Sequence, residues 1–382
     1  MSCVIERTER KMKRVLITGG AGFIGSNVAA DLLAKGYNVR ALDNLIPQVH
    51  GDTRTRPSYL HPEVELLVGD IRNPAMVRRA LEGIDAVVHF VAMVGVGQSM
   101  YEVQEYTSVN NVGTAVLMEA LIKKRVERLL VASSMSIYGE GSYVDSKGNP
   151  STPVERTIEQ LRFGDWEVRN AAGDVLHPIP TREEKPPALA SIYALSKYDQ
   201  ERMCLLIGNA YQIPTVALRF FNIYGANQSL SNPYTGVLAI FASRLLNGKA
   251  PLIYEDGLQQ RDFISVKDVA RACRLALETE SVAGHAFNIA SGQKLTILDL
   301  ARRFARALGK GHIEPEVTGK YRVGDIRHCF ADVSKARKLL GFKPEVALDD
   351  GMRDLAGWLE GQVPEDRVTE ARAELAAKGL MV

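Results

Sequence analysis

A glycine-rich stretch, VLITGGAGFIG at residues 15–25, places the strongest constraint on the fold of this chain. Its apolar start, residues 15–17, predicts a buried strand, and a helical pattern follows the last glycine. Between these elements, Gly19, Gly22 and Gly25 lie three residues apart. That spacing allows a tight turn, a close approach to a pyrophosphate, and close packing of the helix on the strand. The stretch therefore predicts a strand, a turn and a helix whose N-terminus binds the phosphates of a dinucleotide.

An acidic residue follows the second predicted strand, residues 38–42. It is Asp43, which stands 24 residues after Gly19. A carboxylate at this position accepts hydrogen bonds from a ribose 2′-hydroxyl and repels a 2′-phosphate. The pattern therefore favours NAD over NADP as the cofactor.

Strand and helix signals alternate through the first half of the chain. This pattern predicts an α/β fold with a Rossmann-type, doubly wound parallel sheet and right-handed crossovers. Ligands of such sheets bind at the carboxyl ends of the strands. The residues at the predicted strand ends are Thr18, Asp43, Asp70, Phe90 and Ser134.

The chain is predicted to divide into segments that differ in composition and in secondary-structure pattern. Residues 1–13 form a basic leader without the apolar core or cleavage site of a secretory signal. Residues 14–225 form the cofactor-binding domain, residues 226–360 a smaller α/β substrate-binding lobe intertwined with it, and residues 361–382 a C-terminal tail. Within the first domain, the insertion 139–189 is rich in Gly and Pro and predicts one or two short ribbons. Both a lid or binding role and a surface ornament are open for this insertion.

Composition limits the functional class. The net charge of +2 gives no indication of a nucleic-acid or membrane partner, and no apolar run approaches the length that spans a bilayer. The four cysteines form no CxxC pair, which indicates a reducing, cytoplasmic setting without a zinc site. The histidines are too scattered for a metal site, so no metal is predicted.

A second cluster, Tyr193-Ala194-Leu195-Ser196-Lys197, carries residues suited to catalysis. Tyrosine and lysine four residues apart share one face of a predicted helix. A free tyrosine has a pKa near ~10, and a nearby ammonium favours the phenolate, which can take a proton from a hydroxyl. Ser134 can bind the same oxygen. A YxxxK pattern alone is typical of a surface helix pair, but here it follows a dinucleotide motif.

Together these motifs resemble the extended short-chain dehydrogenases that act on nucleotide sugars. The resemblance covers nearly the whole chain apart from residues 1–13 and 139–189. The matching motifs are TGGAGFIG from Thr18, Asp43-Asn44, Gly69-Asp70-Ile71, NNVGT from Asn110, Ser133-Ser134, Tyr193 with Lys197, and Arg219-Phe220-Phe221-Asn222. The resemblance implies a tightly bound NAD that is regenerated in each catalytic cycle.

The resemblance also implies a role for each matching position. The catalytic residues are Ser134, Tyr193 and Lys197. The cofactor-binding residues are Gly19, Gly22, Phe23, Ile24, Asp43, Asn44, Asp70, Ile71, Phe90, Ala92, Asn110, Lys197 and Phe220. The substrate-binding residues are Val94, Ser136, Asn222, Val237, Leu238, Tyr254, Arg261, Arg322 and Asp325. Arginines suit the diphosphate of such a substrate because a guanidinium makes bidentate, charge-assisted bonds.

The two residues after Ser134 distinguish the reactions of this family. The 4,6-dehydratases carry an Asp-Glu pair where this chain has Met135 and Ser136. Removal of water needs an acid and a base near C6 of the sugar, and methionine is neither. The resemblance therefore implies a 4-epimerase. In that reaction hydride goes to NAD⁺, the 4-keto sugar turns over, and the same hydride returns to the opposite face.

The position of Val94 bears on the identity of the sugar. UDP-galactose 4-epimerases often carry a lysine there, whereas an apolar residue suits a 6-deoxy sugar because an unpaired buried hydroxyl is costly. The insertion and the sequence near Arg322 resemble the 4-epimerases of dTDP-L-rhamnose, which make dTDP-6-deoxy-L-talose. The alternatives are a UDP-hexose or UDP-uronate 4-epimerase, an NAD(P)-dependent nucleotide-sugar 4-ketoreductase, and a non-catalytic NAD-binding protein.

The resemblance further implies a homodimer. The two helices predicted for this chain over residues 103–125 and 192–211 would pair with those of a second subunit across a two-fold axis. The four helices would form a bundle. The apolar residues that fit this interface, or equally the interior of one subunit, are Val112, Val116, Leu117, Leu121, Leu205 and Leu206.

Overall fold

Strands and helices alternate along most of the chain. The structure is a computed structural model that describes residues 14–52, 54–230, 232, 234, 236–322, 324–362 and 368–381. The predicted basic leader, residues 1–13, lies outside the described residues.

The strands precede helices in the first part and become shorter in the second. In chain order they are β1 (Arg14–Thr18), β2 (Asn38–Asp43), β3 (Glu65–Val68), β4 (Ala86–His89), β5 (Arg128–Ser134), β6 (Ser142–Val144), β7 (Pro150–Ser151), β8 (His177–Ile179), β9 (Thr215–Phe220), β10 (Asn222–Tyr224), β11 (Leu252–Ile253), β12 (Gln260–Ser265), β13 (Ala286–Ile289), β14 (Lys294–Thr296), β15 (Glu316–Val317) and β16 (His328–Cys329).

The helices vary from single turns to the long α8. They are α1 (Phe23–Ala34), α2 (Pro47–His50), α3 (Pro74–Ala80), α4 (Val96–Ser99), α5 (Val103–Tyr106), α6 (Gly113–Lys123), α7 (Ile158–Arg162), α8 (Ile192–Ala210), α9 (Val237–Leu246), α10 (Val266–Glu278), α11 (Ile297–Ala307), α12 (Ser334–Leu340), α13 (Leu348–Leu359) and α14 (Val368–Ala377).

Seven strands form one parallel sheet in the order β13-β9-β5-β4-β1-β2-β3. The predicted Rossmann-type, doubly wound fold is therefore confirmed. The register places Thr18 opposite Leu42 on one side and His89 on the other, so β1, β2 and β4 end at the same edge. This edge carries the predicted cofactor site.

The smaller lobe contains a sheet in which β12 pairs with β10, β14 and β16. Its core is formed by α9, α11 and α13, which bury Phe241, Phe304 and Leu355 together. Two segments of the stretch 226–360 belong instead to the larger unit. Strand β13 pairs with β9, and α10 packs Cys273 into the core that also holds Val28 of α1. The two units therefore share chain segments.

The insertion 139–189 folds as a small unit of its own. The predicted ribbons occur as one antiparallel sheet in the order β7-β6-β8, and α7 follows β7. Tyr143, Val168 and Leu176 form its small core. Thr181 forms a bridge to Ala331 and thereby attaches the end of the insertion to the larger structure.

The helix predicted over residues 103–125 differs in its centre. Thr107–Val112 form a π-helical turn between α5 and α6. Periodicity does not distinguish such a turn from an α-helix, because both continue in the same direction with similar spacing of apolar residues. Turns of this kind are frequent at functional sites, and Asn110 of the predicted cofactor site lies in it.

Neither a membrane span nor a metal-binding cluster occurs among the residues that the structure describes. No helix in this part of the chain combines the length and the apolar composition needed to cross a bilayer. Nor do three or more His, Cys, Asp or Glu side chains of this part come together in a way that could hold a metal ion.

Candidate active site

The glycine-rich turn between β1 and α1 brings backbone atoms unusually close together. Gly19 has φ of +73°, and a side-chain carbon there would lie 3.1 Å from the backbone nitrogen of Val91. A side-chain carbon on Gly25 would collide with the Gly19 carbonyl oxygen and lie 2.7 Å from Cα of Gly20. Helix α1 can begin this close to the turn only because these positions are glycine.

The N-terminus of α1 fits an anion. Its N-cap is Gly22, which has no side chain to accept from the first N–H groups. Phe23 and Ile24 begin the helix, and the first N–H groups of a helix have no intrahelical partner. A pyrophosphate bound at this end would be favoured by these donors and by the helix dipole. The turn therefore fits the dinucleotide that the sequence predicts.

The carboxylate of Asp43 connects the ends of β1 and β2. It accepts hydrogen bonds from the backbone N–H of Ala21 at 3.1 Å and of Leu45 at 2.9 Å. His50 Nε2 lies 3.6 Å from it, and the Asp43 side chain is 8% exposed. The Tyr59 hydroxyl donates to the Ala21 carbonyl at 2.9 Å. Burial, with Asp43 as a second cause, raises the pKa of Tyr59 to about 12, so this phenol is neutral.

Asp70 lies at the end of β3, next to Asn44 and Arg72. Its carboxylate accepts from Arg72 Nη2 at 2.6 Å and from Arg72 Nε at 3.0 Å. These bonds, and a hydrogen bond from Asn44, keep the pKa of Asp70 below its ordinary value. The next residue, Ile71, is buried against the α6 N-terminus, where a side-chain carbon on Gly113 would collide with it. These contacts place three predicted cofactor residues, Asn44, Asp70 and Ile71, side by side.

The predicted catalytic tyrosine and serine are in contact. Tyr193 lies in the first turn of α8, and its backbone N–H donates to Ser99 Oγ of α4 at 3.0 Å. Burial raises the pKa of the Tyr193 phenol, and a hydrogen bond with Ser134 lowers it. Ser134 Oγ accepts from the Ser136 hydroxyl at 2.8 Å. A hydrogen bond that lowers the pKa of a phenol is one donated to the phenolate oxygen, so Ser134 acts as the donor to Tyr193.

Lys197 is buried one turn further along α8. Its Nζ donates to Gln200 Oε1 at 2.7 Å, and Gln200 Nε2 donates to Thr114 Oγ1 at 2.8 Å and to the Val91 carbonyl at 3.1 Å. Burial lowers the pKa of Lys197 from 10.5 to about 8, while Cys204 and Glu201 act in the opposite direction. The side chain therefore carries its charge at neutral pH.

His89 connects this network to the glycine-rich turn. Its ring nitrogens lie 2.7 Å from Thr18 Oγ1 and 2.9 Å from Thr114 Oγ1. Burial, followed by the charge of Lys197, lowers the pKa of His89 to about 3. The ring is therefore neutral and acts as a hydrogen-bonding spacer between β1 and α6.

Asn110 fixes the loop that follows β4. Its side chain accepts from the backbone N–H of Met93 at 2.7 Å and donates to the Met93 carbonyl at 3.1 Å. It also donates to Ser196 Oγ at 2.9 Å on α8. On the other side of this loop, Phe90 and Phe220 form an edge-to-face ring pair with centroids 6.1 Å apart. Ala92, also on this loop, is partly buried.

Cations gather on the substrate lobe around the ring of Tyr254. The guanidinium carbons of Arg322 and Arg372 lie 5.0 and 5.7 Å from the ring centre. Arg322 Nε also donates to Asp325 Oδ2 at 2.9 Å, and the Asp325 charge raises the pKa of Arg322 above its ordinary value. Three predicted substrate residues, Tyr254, Arg322 and Asp325, are therefore in one cluster.

The other predicted substrate residues have different surroundings. Arg261 donates to the backbone carbonyls of Arg327, at 2.9 Å, and of Ile326, so its guanidinium braces the chain beside Asp325. Asn222 Nδ2 donates to the Asp262 carbonyl at 2.9 Å and contacts Met135 Sδ at 3.5 Å.

Three predicted substrate residues are apolar. Val94 is 42% exposed, and its carbonyl accepts from the Tyr106 hydroxyl at 2.8 Å. Leu238 is 2% exposed and packs in the lobe core, so only its backbone is available to a ligand. Its neighbour Val237 packs against the same core while remaining partly exposed.

A buried group of charges joins the insertion to the substrate lobe. The side chain of Arg327 is 1% exposed and donates to Glu255 Oε2 at 2.9 Å and Asp256 Oδ1 at 2.6 Å. Arg156 of the insertion donates to Glu255 Oε1 at 2.9 Å and to the Asp325 carbonyl at 2.8 Å. The insertion therefore supports the chain at a predicted substrate residue.

Several residues of these clusters are not predicted from the sequence. Gln200 lies three residues after Lys197 on α8, so helical spacing is a signal that could have found it. Arg156, Arg327 and Arg372 come from separate segments, and nothing local distinguishes them from surface arginines.

Known proteins are similar in sequence to this chain over most of its length. Residues 15–165 and 168–290 match the family described as NAD dependent epimerase/dehydratase. The chain is 36% identical over 352 residues to a dTDP-L-rhamnose 4-epimerase from Burkholderia thailandensis, covering 91% of this chain and 95% of that protein.

Solved structures share the fold as well. The UDP-glucose 4-epimerase of Thermus thermophilus, in complex with NAD, superposes with a TM-score of 0.73 at 31% identity, covering 92% of this chain and 100% of that one. The UDP-glucuronic acid 4-epimerase of Bacillus cereus, in complex with UDP-glucuronic acid and NAD, gives 0.74 at 26% identity, covering 91% and 99%.

Proposed function

This chain belongs to the NAD dependent epimerase/dehydratase family, and from that premise we propose that it is an NAD-dependent nucleotide-sugar 4-epimerase. We further propose that its substrate is dTDP-L-rhamnose, which it converts to dTDP-6-deoxy-L-talose. The observation that carries the proposal is the contact of Ser134 with Tyr193, with Lys197 one turn further along α8. The 36% identity to a dTDP-L-rhamnose 4-epimerase supports the choice of sugar.

The cofactor and three residues of the chain have separate roles in the proposed reaction. NAD, when bound, supplies the acceptor and then the donor of the C4 hydride. Tyr193 takes the proton of the sugar 4-hydroxyl as the C4 hydride leaves, and returns a proton to the same oxygen after the sugar has turned over. Ser134 donates a hydrogen bond to the oxygens of this site and so favours the phenolate. Lys197 carries a buried ammonium that favours an anion nearby.

Cofactor residues of the chain fit this role. The free N–H groups at the start of α1 would hold the pyrophosphate, and Asp43, held by Ala21 and Leu45, would accept a ribose hydroxyl. Asn44, Asp70 and Ile71 would border the adenine, and Lys197 would reach the nicotinamide ribose. Because Asp43 would repel a 2′-phosphate, NAD fits better than NADP.

The surroundings of Met135 argue against a dehydratase. Its side chain is 7% exposed and packs with Ile137 and Phe221. The neighbouring Ser136 hydroxyl is occupied by Ser134. Neither residue offers a carboxylate for the elimination of water, whereas reversible transfer of a C4 hydride needs none.

The identity of the substrate is tested by comparing the turnover of three nucleotide sugars. The purified protein is incubated separately with dTDP-L-rhamnose, UDP-glucose and UDP-glucuronate, and inversion at C4 is followed by proton NMR. We expect the highest kcat/KM with dTDP-L-rhamnose, without net consumption of NAD(H). Higher turnover of a UDP sugar would identify a UDP-hexose or UDP-uronate 4-epimerase, and turnover that requires continuous NADPH would identify a 4-ketoreductase.

The catalytic assignment is tested with Tyr193→Phe. We expect kcat to fall about 10²–10⁴-fold, because the proton acceptor is removed, while NADH affinity and thermal stability stay unchanged. The matched control is Tyr198→Phe, which changes a tyrosine on the same helix that packs against the cluster of Ile137 and Phe221. Equal turnover by Tyr193→Phe and the original chain would contradict the assignment and favour a non-catalytic role.

We also propose that the protein is a homodimer. Val112 and Leu206 are 50% and 57% exposed, on the π-helical turn before α6 and on α8. Leu117 and Leu121 are fully buried within one subunit, so the subunit interior accounts for them. The exposed pair supports an interface on these helices. Light scattering after size-exclusion chromatography should give a mass of two chains, and Leu206→Glu should shift it to one.

A further inference from the structure

The C-terminal residues 368–381, here called the strap, reach from α4 to Arg322 of the substrate cluster. Helix α14 forms most of the strap. Its Leu375 is 5% exposed, and a side-chain carbon on Gly97 of α4 would lie 3.2 Å from Leu375 Cδ2. At the other end, Met381 forms an antiparallel bridge with Arg322 of the substrate cluster. The strap therefore contacts both units of the fold.

Polar contacts hold the strap from the same two sides. Glu374 accepts from the Tyr234 hydroxyl at 2.8 Å, and that hydroxyl lies 2.7 Å from the hydroxyl of Tyr101. Lys378 Nζ lies 4.4 Å from the centre of the Tyr101 ring. Glu374 and Lys378 are both exposed. The buried apolar side chains of the described strap are Ala371, Leu375 and Met381, and none of them belongs to the cores of the two units, so the strap can detach without disturbing those cores.

Arg372 adds a second cation to the substrate cluster. Arg322 and Arg372 stand within 6 Å of one Tyr254 ring, and Asp325 pairs with Arg322. Lys320 and Arg372 also line a second depression, together with Met381 of the strap. Cations gathered around one carboxylate leave a net positive surface, which is suited to a diphosphate.

The space beneath the strap is too small for a nucleotide sugar. A cavity of about 20 Å³ is enclosed by Arg322 and Asp325, by Val96 and Met100, and by Leu375 and Leu380 of the strap, with Gly97 and Ala190 completing its lining. That volume has room for about one water molecule. A substrate that reaches Arg322 from this side therefore displaces the strap.

We propose that the strap opens to admit the nucleotide sugar and then closes over its diphosphate, with Arg372 as a second guanidinium beside Arg322. This inference rests on the proposed function, because it assigns the diphosphate of that substrate to the cluster. It also goes beyond that function, because it makes the C-terminal segment part of the binding site. The strap then controls the rates at which the substrate binds and leaves.

Binding of dTDP and of UDP separates this inference from the proposed function. Calorimetry measures the Kd of each nucleotide with the full chain, with Arg372→Gln, and with a chain ending at Gln362. The matched control is Arg353→Gln, which removes an arginine with a 67% exposed side chain from α13. NADH affinity and thermal unfolding are measured for every protein.

We expect Arg372→Gln to weaken binding of the preferred nucleotide about tenfold to a hundredfold, the effect of losing a charge-assisted contact. NADH affinity and thermal stability should stay unchanged, and Arg353→Gln should bind as the full chain does. The chain ending at Gln362 should release the nucleotide faster, and stopped-flow measurements should also show faster association because the strap no longer blocks access.

Two outcomes overturn the inference in different ways. If the full chain epimerises a nucleotide sugar and Arg372→Gln binds dTDP and UDP as tightly as the full chain, the strap is not part of the site although the proposed function holds. If the full chain binds neither nucleotide and epimerises none of the sugars, the proposed function and the inference both fail. Arg372→Gln keeps the whole chain, so the first test does not depend on whether the shortened chain folds.

Discussion

The cofactor side and the substrate side of the candidate active site are built by different means. On the cofactor side, a single short segment of chain makes the turn, and Asp43 is held by the backbone N–H groups of Ala21 and Leu45. On the substrate side, Arg156, Glu255 and Arg327 come from three distant segments and are held by ion pairs between side chains. Backbone packing and backbone hydrogen bonds therefore fix the cofactor side, whereas ion pairs between side chains fix the substrate side.

This difference has an energetic consequence. A turn made by glycines is sensitive to added volume, because the atoms that a side-chain carbon on Gly19 or Gly25 would meet belong to the backbone and cannot move aside. A buried ion network is sensitive to the loss of a partner, because the remaining charge has no water to solvate it. The two sides should therefore fail independently and under different substitutions.

The largest effect should come from Arg327→Met. It removes the cation that pairs with both Glu255 and Asp256, although Arg156 still pairs with Glu255, and burial already raises the pKa of Glu255 above its ordinary value. We expect a loss of about 3–5 kcal/mol in the free energy of unfolding, measured with urea. Binding of dTDP should weaken as well, whereas the NADH affinity of the folded protein should be kept.

An exposed ion pair provides the control for this change. Arg182 pairs with Asp332 at 3.0 Å, and its side chain is 71% exposed. Arg182→Met should change stability by less than about 1 kcal/mol. If Arg327→Met weakened NADH binding as strongly as dTDP binding, the two sides of the site would not be independent.

A pH series on Lys197→Met should show the next largest effect. The pKa of Lys197 is lowered by burial from 10.5 to about 8, so between these values the unfolded chain binds a proton that the folded chain does not. The folded state of the original chain therefore gains stability as pH rises through this window, by about 3 kcal/mol in total. Below pH 8 both states carry the proton, and the cost of burying the ammonium is fully present.

The measurement is the difference in unfolding free energy between the original chain and Lys197→Met, without cofactor, from pH 7 to pH 10.5. Other groups that titrate in this range are common to both proteins and cancel. The advantage of Lys197→Met should shrink as pH rises. A difference that stays constant would show that this buried cation is paired as firmly as those of the substrate side.

The smallest effect should come from paired substitutions in the glycine-rich turn. Gly25→Ala forces the α1 N-terminus away from Gly19, and we expect a loss of about 1–3 kcal/mol in stability together with weaker NADH binding. Gly22→Ala meets only the Gly19 carbonyl, at 3.4 Å, so stability should be kept while NADH binding weakens. NADH fluorescence and urea unfolding measure the two quantities, and equal stability losses for both variants would argue against a turn shaped by local packing.

The same difference explains how much can be predicted from the sequence. The unit of β1, turn and α1 is predictable because glycine spacing and an apolar run are local signals. The long helix that carries Tyr193 and Lys197 is predicted over residues 192–211 and is observed as Ile192–Ala210.

The substrate side is less predictable, for physical reasons. Its residues come together only in the tertiary fold. The pairing of Arg327 with Glu255 is therefore not indicated by any periodic pattern in the sequence. The insertion lacks periodicity because its strands are two or three residues long. Arg261 matches a family position, yet in this structure it binds backbone carbonyls beside Asp325. Arg372 stands in a tail whose path across the site is not indicated by any local pattern.

The sharing of chain segments between the two units limits how such a protein can be recombined. A chimaera cut at residue 225 would take β13 and α10 from a different parent than the sheet and helix on which they pack. The large sheet would then have a foreign edge strand, and α1 a foreign partner. Exchange of substrate specificity between relatives therefore needs crossover points on both sides of β13 and of α10. Both elements then come from the same parent as the large sheet and α1.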